Sequence, residues 1–296
     1  MERFDPDFIC NASDDGGRYT YANQPKICKW NLGKFAEAIS AAVPVDETKE
    51  IIEEIYDETF SKCYRGLMAK KLGVVELDVE NADATSQFDD LVTSLFETMK
   101  QTGADFTNTF RVLGELPYPS AASGSAYPAA KDTVLHNLLS QCCTLDELKK
   151  TLRPMMDPRQ LQMLLMMAQS QPMFLAMMGM EGKLKAELDR REKLQEMQHL
   201  TSESKTEKDR ELWTTWLDKY EAVLKEQLEM LLKKGTTLEA AEDTRKQIMT
   251  SSNPRFILRN WVAQNAISKA EEGDYEEVSR WELTRDFWDV IICGRG

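Results

Sequence analysis

The sequence has few of the residues that common metal and nucleotide sites require. Its 296 residues include two histidines, His136 and His199, and six cysteines without a Cys-x-x-Cys pair. A zinc site of ordinary ligand spacing is therefore excluded. The chain also contains neither G-x-G-x-x-G nor G-x-x-x-x-G-K-[ST], the two common phosphate-binding signatures. Motifs alone do not identify a self-sufficient enzyme.

Positive charge and long apolar runs are also scarce. The formal net charge is −13, and lysines and arginines are interleaved with acidic residues, so no nucleic acid partner is expected. The sequence has no run of about 18 apolar residues, so no membrane span is expected. The scattered spacing of the six cysteines favours reduced thiols. The first residues resemble neither a secretory leader nor a transit peptide, which predicts a cytoplasmic chain if Met1 is the true start.

Apolar residues repeat with helical spacing over most of the chain, which predicts a mostly α fold. The first three segments with this pattern are 26–42, 46–70 and 86–102, and Gly103 has the position of a C-cap. We expect all three apolar stripes to be buried. Their members are Ile27, Trp30, Phe35 and Ile39, then Ile52, Ile55, Tyr56, Phe60, Cys63, Tyr64 and Leu67, then Phe88, Leu91, Val92, Leu95, Phe96 and Met99.

Capping residues predict several helix starts. Thr144 and Glu147 have the spacing of a capping box, in which each side chain satisfies one exposed backbone amide. Asp157 and Asn253 each precede a proline, the arrangement typical of an N-cap followed by the first helical residue.

Three further segments differ in pattern. Residues 205–233 predict a long charged helix, residues 72–79 weakly suggest a strand, and residues 116–132, rich in Pro, Gly, Ser and Ala, predict an exposed loop. The apolar side of the long helix consists of Leu212, Trp213, Trp216, Tyr220, Leu224, Leu228 and Leu231.

Nine of the fifteen methionines lie between Met155 and Met180. A methionine-rich surface can form an adaptable groove for a partner, and thioethers can bind Cu(I). We favour a third interpretation, in which the methionines fill gaps in a core, because other apolar residues share their helical face. These are Leu161, Leu164, Leu165 and Ala168.

Two segments resemble one protein family. "FDPDFICNASDDGGRYTYANQP", followed by "CKWNLGKFAEAI", is similar to a segment of selenoprotein O and its bacterial homologues. "NPRFILRNWVAQNAI" at 253–267 is similar to a second signature of the same family, in the same order. The resemblance covers roughly residues 1–280 and corresponds to the C-terminal half of a family protein.

The resemblance implies a protein-kinase-like (pseudokinase) fold, of which this chain supplies the C-terminal helical part with appended helices. The family transfers AMP from ATP to Ser, Thr or Tyr hydroxyls of proteins with Mg or Mn. Its ATP-binding and catalytic positions precede the matched region, so no catalytic or metal-binding residue is assigned here. We therefore expect the chain to be inactive alone and to need two partners, the N-terminal half of the fold and a protein substrate.

The same resemblance suggests a division of the chain. Residues 1–115 would form a C-lobe-like region beginning at the equivalent of the activation segment, and 116–132 the exposed loop. Residues 133–280 would form a helical extension, and 281–296 a divergent tail in which Cys293 stands alone, so no redox motif is assigned. Animal members of the family are mitochondrial.

Two residues of the opening segment are candidate nucleotide contacts. Asp14 and Arg18 could approach a phosphate group, or Arg18 could pair locally beside a turn at residues 15–17, which we favour. The chain as a whole also has an alternative interpretation, as a short helical interaction or regulatory protein without enzymatic activity.

Overall fold

The computed structural model describes residues 3–9, 13–14, 17–77, 81–120, 126–154, 156–171, 173 and 181–279. Its regular elements in these ranges are helical and include no strand, so the predicted mostly α fold is confirmed. The helices are α1 (Gln24–Ala38), α2 (Val45–Leu72), α3 (Ala82–Thr102), α4 (Phe106–Leu113), α5 (Ala126–Ser140), α6 (Leu145–Thr151), α7 (Pro158–Ser170), α8 (Glu181–Glu196), α9 (Ser202–Lys233), α10 (Leu238–Ser252) and α11 (Asn260–Glu271), with a 3₁₀ turn at Met197–His199.

Contacts divide the chain into two compact units, each built from separated segments. The first unit comprises Met1–Phe4, Tyr64–Cys142 and Leu212–Gly296, and the second comprises Asp5–Cys63 and Cys143–Glu211. The boundaries of these units differ from those of the four ranges suggested by the resemblance. The assignment of those ranges to parts of a kinase-like fold stays a prediction.

The core of the first unit contains the buried faces of α3 and α9. The predicted stripe of α3 is confirmed, since Leu95 and Met99 are fully buried. The helix ends at Gly103, whose φ of 64° places it in the left-handed region and whose N–H donates to the Met99 carbonyl. The other buried members of this stripe are Phe88, Leu91 and Val92, and Phe96 is partly buried.

Aromatic residues form the buried face of α9. The rings of Trp213 and Trp216 meet edge to face at 6.0 Å, and Trp216 stacks on Tyr220 at 5.0 Å. Trp216 Nε1 donates to the Leu91 carbonyl at 3.2 Å, and Tyr220 donates its hydroxyl to the Leu72 carbonyl at 2.5 Å. Each polar group of this face therefore has a partner, as buried polar groups require.

The segment after α2 is irregular in its described part, 73–77, so the weakly suggested strand at 72–79 is not formed there. Its backbone pairs instead with a side chain of α9. Glu76 donates its N–H to Gln227 Oε1 at 3.1 Å, and Gln227 Nε2 donates to the Glu76 carbonyl at 2.9 Å. The side-chain amide of Gln227 thus makes both backbone hydrogen bonds to Glu76 that a neighbouring strand would otherwise make. Residues 78–79 lie outside the described ranges.

The predicted burial of the first two stripes is largely wrong. Phe35 of α1 is 61% exposed, and Ile55 and Leu67 of α2 are 52% and 62% exposed. Polar contacts join these two helices: Tyr56 donates its hydroxyl to the Pro25 carbonyl at 2.8 Å, and an ion-pair group links them. That group consists of Lys29 with Glu53 and Asp57, both at 2.8 Å. Helical spacing shows that a face is apolar, but it does not show that another element covers it.

The predicted exposed loop at 116–132 is shorter and less exposed than expected. Helix α5 begins at Ala126, and both Leu116 and Tyr118 are fully buried. Their backbone groups bind α10, since Arg245 donates to the Leu116 carbonyl at 2.6 Å and Tyr118 donates its N–H to Glu242 at 2.5 Å. Residues 121–125 lie outside the described ranges.

The predicted helix start at Asn253 is also wrong. Asn253 is buried at the C-terminal end of α10, and the next helix begins only at Asn260. Its side chain joins two helix ends: Asn253 Nδ2 donates to the Lys71 carbonyl at 2.9 Å, and Lys71 Nζ donates to Asn253 Oδ1 at 3.1 Å. An asparagine before a proline therefore serves here as a tertiary contact.

The other two predicted helix starts are confirmed. Thr144 accepts from the Glu147 N–H, and the Glu147 carboxylate accepts from the Thr144 N–H at 2.8 Å, which completes the capping box. Asp157 accepts from the Arg159 N–H at 2.8 Å, immediately before Pro158.

The methionine-rich segment belongs only partly to a core. A small cluster in the second unit contains Leu161, Leu164 and Leu184, with Met156 and Met167 packed against it. In contrast, the remaining described methionines of the segment are exposed, and they are Met163, Met166 and Met173. Met155, Met177, Met178 and Met180 lie outside the described ranges.

Candidate functional site

The opening segment folds on itself around Asp14. The Asp14 carboxylate accepts the N–H of Arg18 at 2.9 Å and that of Tyr19 at 2.8 Å, one on each oxygen. The guanidinium of Arg18 lies 3.9 Å from the centre of the Trp30 ring, a cation–π contact. Both candidate residues therefore make local contacts that fix the chain before α1.

Asp14 and Arg18 are both engaged by groups of their own segment. Both Asp14 oxygens already accept backbone hydrogen bonds, and Arg18 faces an indole ring. The described residues bring together no group of three or more His, Cys, Asp or Glu suited to a metal ion. A nucleotide role for Asp14 and Arg18 remains a prediction, and Asp15 and Gly16 lie outside the described ranges.

A cavity of about 420 Å³ lies in the first unit, where the segment between α10 and α11 passes the start of α4. The segment is part of 253–267, the second stretch similar to the family. The sequence identified this stretch only by its resemblance and did not predict a site there. The cavity is lined by Thr107, Asn108, Arg255, Phe256, Ile257, Arg259 and Trp261.

An ion pair fixes one wall of this cavity. Arg259 Nη1 binds the carboxylate of Asp105, and both side chains are less than one-fifth exposed. The other oxygen of Asp105 accepts the Asn108 N–H at 2.8 Å, which caps α4. Asn108 Nδ2 in turn donates to Gln141 Oε1 at 2.8 Å. Charge-assisted hydrogen bonds shielded from water are among the stronger polar contacts, so this wall is well fixed.

The rest of the lining is open to solvent. Arg255 is exposed, Phe256 is 45% exposed and Trp261 is 63% exposed, and Leu258 beside the cavity is 58% exposed. The arrangement can offer a guanidinium for an anion and an indole for an apolar group. The sequence signal for this surface is the mixture of Arg, Phe, Leu and Trp without helical spacing after a helix end.

A buried polar cluster in the same unit surrounds Arg245. Its Nη2 donates to the Tyr220 hydroxyl at 2.8 Å, and its charge lies 5.5 Å from the Tyr118 ring. Burial raises the pKa of Tyr118 to about 12, and burial lowers the pKa of Lys71. These groups face the core, so we assign them a structural role.

Four of the six cysteines can be located. Cys28 and Cys63 are exposed, and Cys142 and Cys143 are half-buried, whereas Cys10 and Cys293 lie outside the described ranges. None of the helices in the described ranges has the length and apolarity needed to cross a membrane.

Comparison with known proteins identifies the class. The family model described as protein adenylyltransferase SelO matches residues 1–285. The chain is 43% identical over 280 residues to the mitochondrial protein adenylyltransferase SelO of Mus musculus and 41% identical over 281 residues to that of Homo sapiens. It is also 27% identical over 280 residues to protein nucleotidyltransferase YdiU of an Enterobacter strain. The chain belongs to the SelO family.

The three alignments each cover 95% of the chain but only 38–40% of the relative. The chain thus spans about two-fifths of the length of the relatives it matches.

Proposed function

We propose that this chain is the helical part of a protein adenylyltransferase with a kinase-like fold. The complete protein would transfer AMP from ATP to Ser, Thr or Tyr hydroxyls of proteins, with Mg or Mn as the divalent cofactor. The observation that carries the proposal is the family match over residues 1–285, supported by 43% identity to the mouse relative. By the same resemblance we propose a mitochondrial location, since the animal relatives are named mitochondrial.

The proposed partner within the fold is the polypeptide that corresponds to the remaining three-fifths of the relatives. Exposed apolar side chains on α1 and α2 support this proposal, since clusters of exposed apolar residues often mark interaction sites. Covering them would contribute roughly 25 cal/mol for each Å² of apolar surface removed from water. The exposed residues are Trp30, Leu32, Phe35, Ile51, Ile55 and Phe60.

We also propose that the chain by itself transfers no AMP. Transfer of a phosphate group depends on positioning and on charge neutralisation by a metal, Lys and Arg, and the family resemblance assigns those positions to a region before the matched one. The test incubates the purified chain with radiolabelled ATP, MgCl2 or MnCl2, and a mixture of mitochondrial proteins. No label should enter protein. Incorporation that EDTA abolishes would contradict the proposal.

The exposed apolar side chains also favour the alternative function, a short interaction or regulatory protein. The two functions predict different behaviour of the purified chain. A monodisperse monomer that unfolds cooperatively would favour the interaction protein. Self-association, or unfolding without cooperativity, would instead favour the first function, in which the chain is part of an enzyme and requires the remaining polypeptide. Analytical ultracentrifugation and calorimetry measure both properties.

A further inference from the structure

The cavity at residues 255–261 has a basic lining in an acidic chain. Its lining contains two arginines and no Asp or Glu, whereas the whole chain has a net charge of −13. Arg259 is engaged by Asp105. No carboxylate of the described ranges pairs with Arg255, so its guanidinium is available to an anionic group.

Apolar surface extends beyond the cavity along the same segment. Phe256, Leu258 and Trp261 are each at least 45% exposed within six residues of one another. Exposed apolar side chains spread along a non-helical segment suit an extended stretch of polypeptide. Tryptophan and arginine are also the residues that most often dominate protein interfaces.

We propose that this surface docks an acidic polypeptide segment that also carries apolar side chains. A carboxylate of the segment binds Arg255, and an apolar side chain covers Trp261 and Phe256. The Arg259–Asp105 pair acts as a positioning contact, because it joins the segment between α10 and α11 to the capped start of α4. The inference that the docked segment belongs to the protein substrate rests on the proposed function. The docking itself does not depend on that function.

The test is a binding titration followed by fluorescence anisotropy. The probe is a fluorescein-labelled peptide in which Glu and Asp alternate with Leu and Phe. We expect Arg255→Ala and Trp261→Ala each to weaken its affinity at least tenfold, about 1.4 kcal/mol, with an unchanged circular dichroism spectrum. Lys225→Ala, which removes the same charge from an exposed position outside the cavity lining, should leave the affinity within twofold.

Several outcomes would overturn the proposal. One is equal binding of a peptide in which Lys replaces every acidic residue. Another is equal weakening by Lys225→Ala and Arg255→Ala. A third is displacement of the peptide by AMP or ATP, which would make the cavity a nucleotide site.

The docking proposal and the proposed enzymatic function can be tested separately. Peptide binding to this chain requires no catalysis, and AMP transfer can be measured in a chimera that joins this chain to the remainder of the mouse relative. An active chimera without peptide binding would contradict docking alone. Peptide binding with an inactive chimera would contradict the enzymatic function alone.

Discussion

At the scale of single residues, a glycine determines how α2 ends against α10. Gly73 has a φ of 66°, and the following Val74 N–H donates to the Ala69 carbonyl at 2.9 Å, which closes the helix end. A β-carbon on Gly73 would lie 2.6 Å from Met249 Sδ and 2.8 Å from two atoms of Arg245. Because Arg245 is buried and hydrogen-bonded, it cannot move aside at low cost.

We therefore expect Gly73→Ala to lower the free energy of unfolding by about 2–5 kcal/mol, the sum of left-handed strain and overpacking. The matched control is Gly235→Ala, since Gly235 also has a positive φ, 89°, but has open space around it. It should cost about 1–2 kcal/mol, from strain alone. Urea denaturation measures both variants. Equal losses would show that the close contact with Arg245 and Met249 does not matter.

Tyr118 makes stability depend on pH in the alkaline range. Burial raises its pKa from 10.0 to about 12, so the unfolded chain loses this proton first. Its contribution is fully present below pH 10 and is lost as the pH rises towards 12. The full decrease should be on the order of 3 kcal/mol, since each of the two pKa units corresponds to about 1.4 kcal/mol.

Replacing Tyr118 with Phe should remove this part of the alkaline loss. The same substitution removes a buried hydroxyl that has no hydrogen-bond partner among the described residues, so stability at pH 7 should not fall by more than about 1 kcal/mol. Tyr275→Phe is the control, because Tyr275 is exposed. Urea unfolding at pH 9 and pH 11.5 compares the three proteins. An identical loss for Tyr118→Phe and the parent chain would contradict the assignment.

At the scale of helices, α2 shows that an apolar residue at a helical position is not always buried. Leu67 belonged to the predicted buried stripe and is 62% exposed, whereas Leu72, five residues later, is fully buried. Helical spacing placed Leu67 in the apolar stripe but gave no indication that its side chain stays exposed while that of Leu72 is covered. Which of them is covered depends on the elements that pack against α2.

We expect Leu72→Ala to lower the free energy of unfolding by about 2–5 kcal/mol, through lost burial and a cavity. Leu67→Ala should change it by no more than about 0.5 kcal/mol. The two variants remove the same atoms from one helix, so thermal unfolding of both isolates the effect of burial. A large loss for Leu67→Ala would mean that another element covers that face.

The sequence predicted helices better than it predicted contacts. The stripe of α3, the capping box at Thr144 and the aromatic face of α9 follow from local spacing, and all three are confirmed. The roles of Asn253 and Tyr118 depend on partners more than a hundred residues away, and no local pattern reveals them. The cavity was missed for the same reason, since Arg259 meets Asp105 only in the folded chain.

At the scale of the whole molecule, the chain combines a well-packed unit with exposed apolar surface. Leu95, Leu224 and Trp213 are fully buried in the first unit, whereas Phe35 and Ile55 in the second are more than half exposed. Burial of that surface by additional polypeptide would be favourable. This distribution supports our proposal that the chain acts together with the remaining three-fifths of a SelO protein.

The central claim is tested most directly by AMP transfer in a chimera. The chimera joins this chain to the part of the Mus musculus relative that lies outside the matched 39%, in the order of the family. Incubation with radiolabelled ATP, MgCl2 or MnCl2 and mitochondrial proteins should label protein with AMP, while the chain alone under the same conditions should not. A folded chimera that transfers no AMP, or equal transfer by the chain alone, would contradict the account.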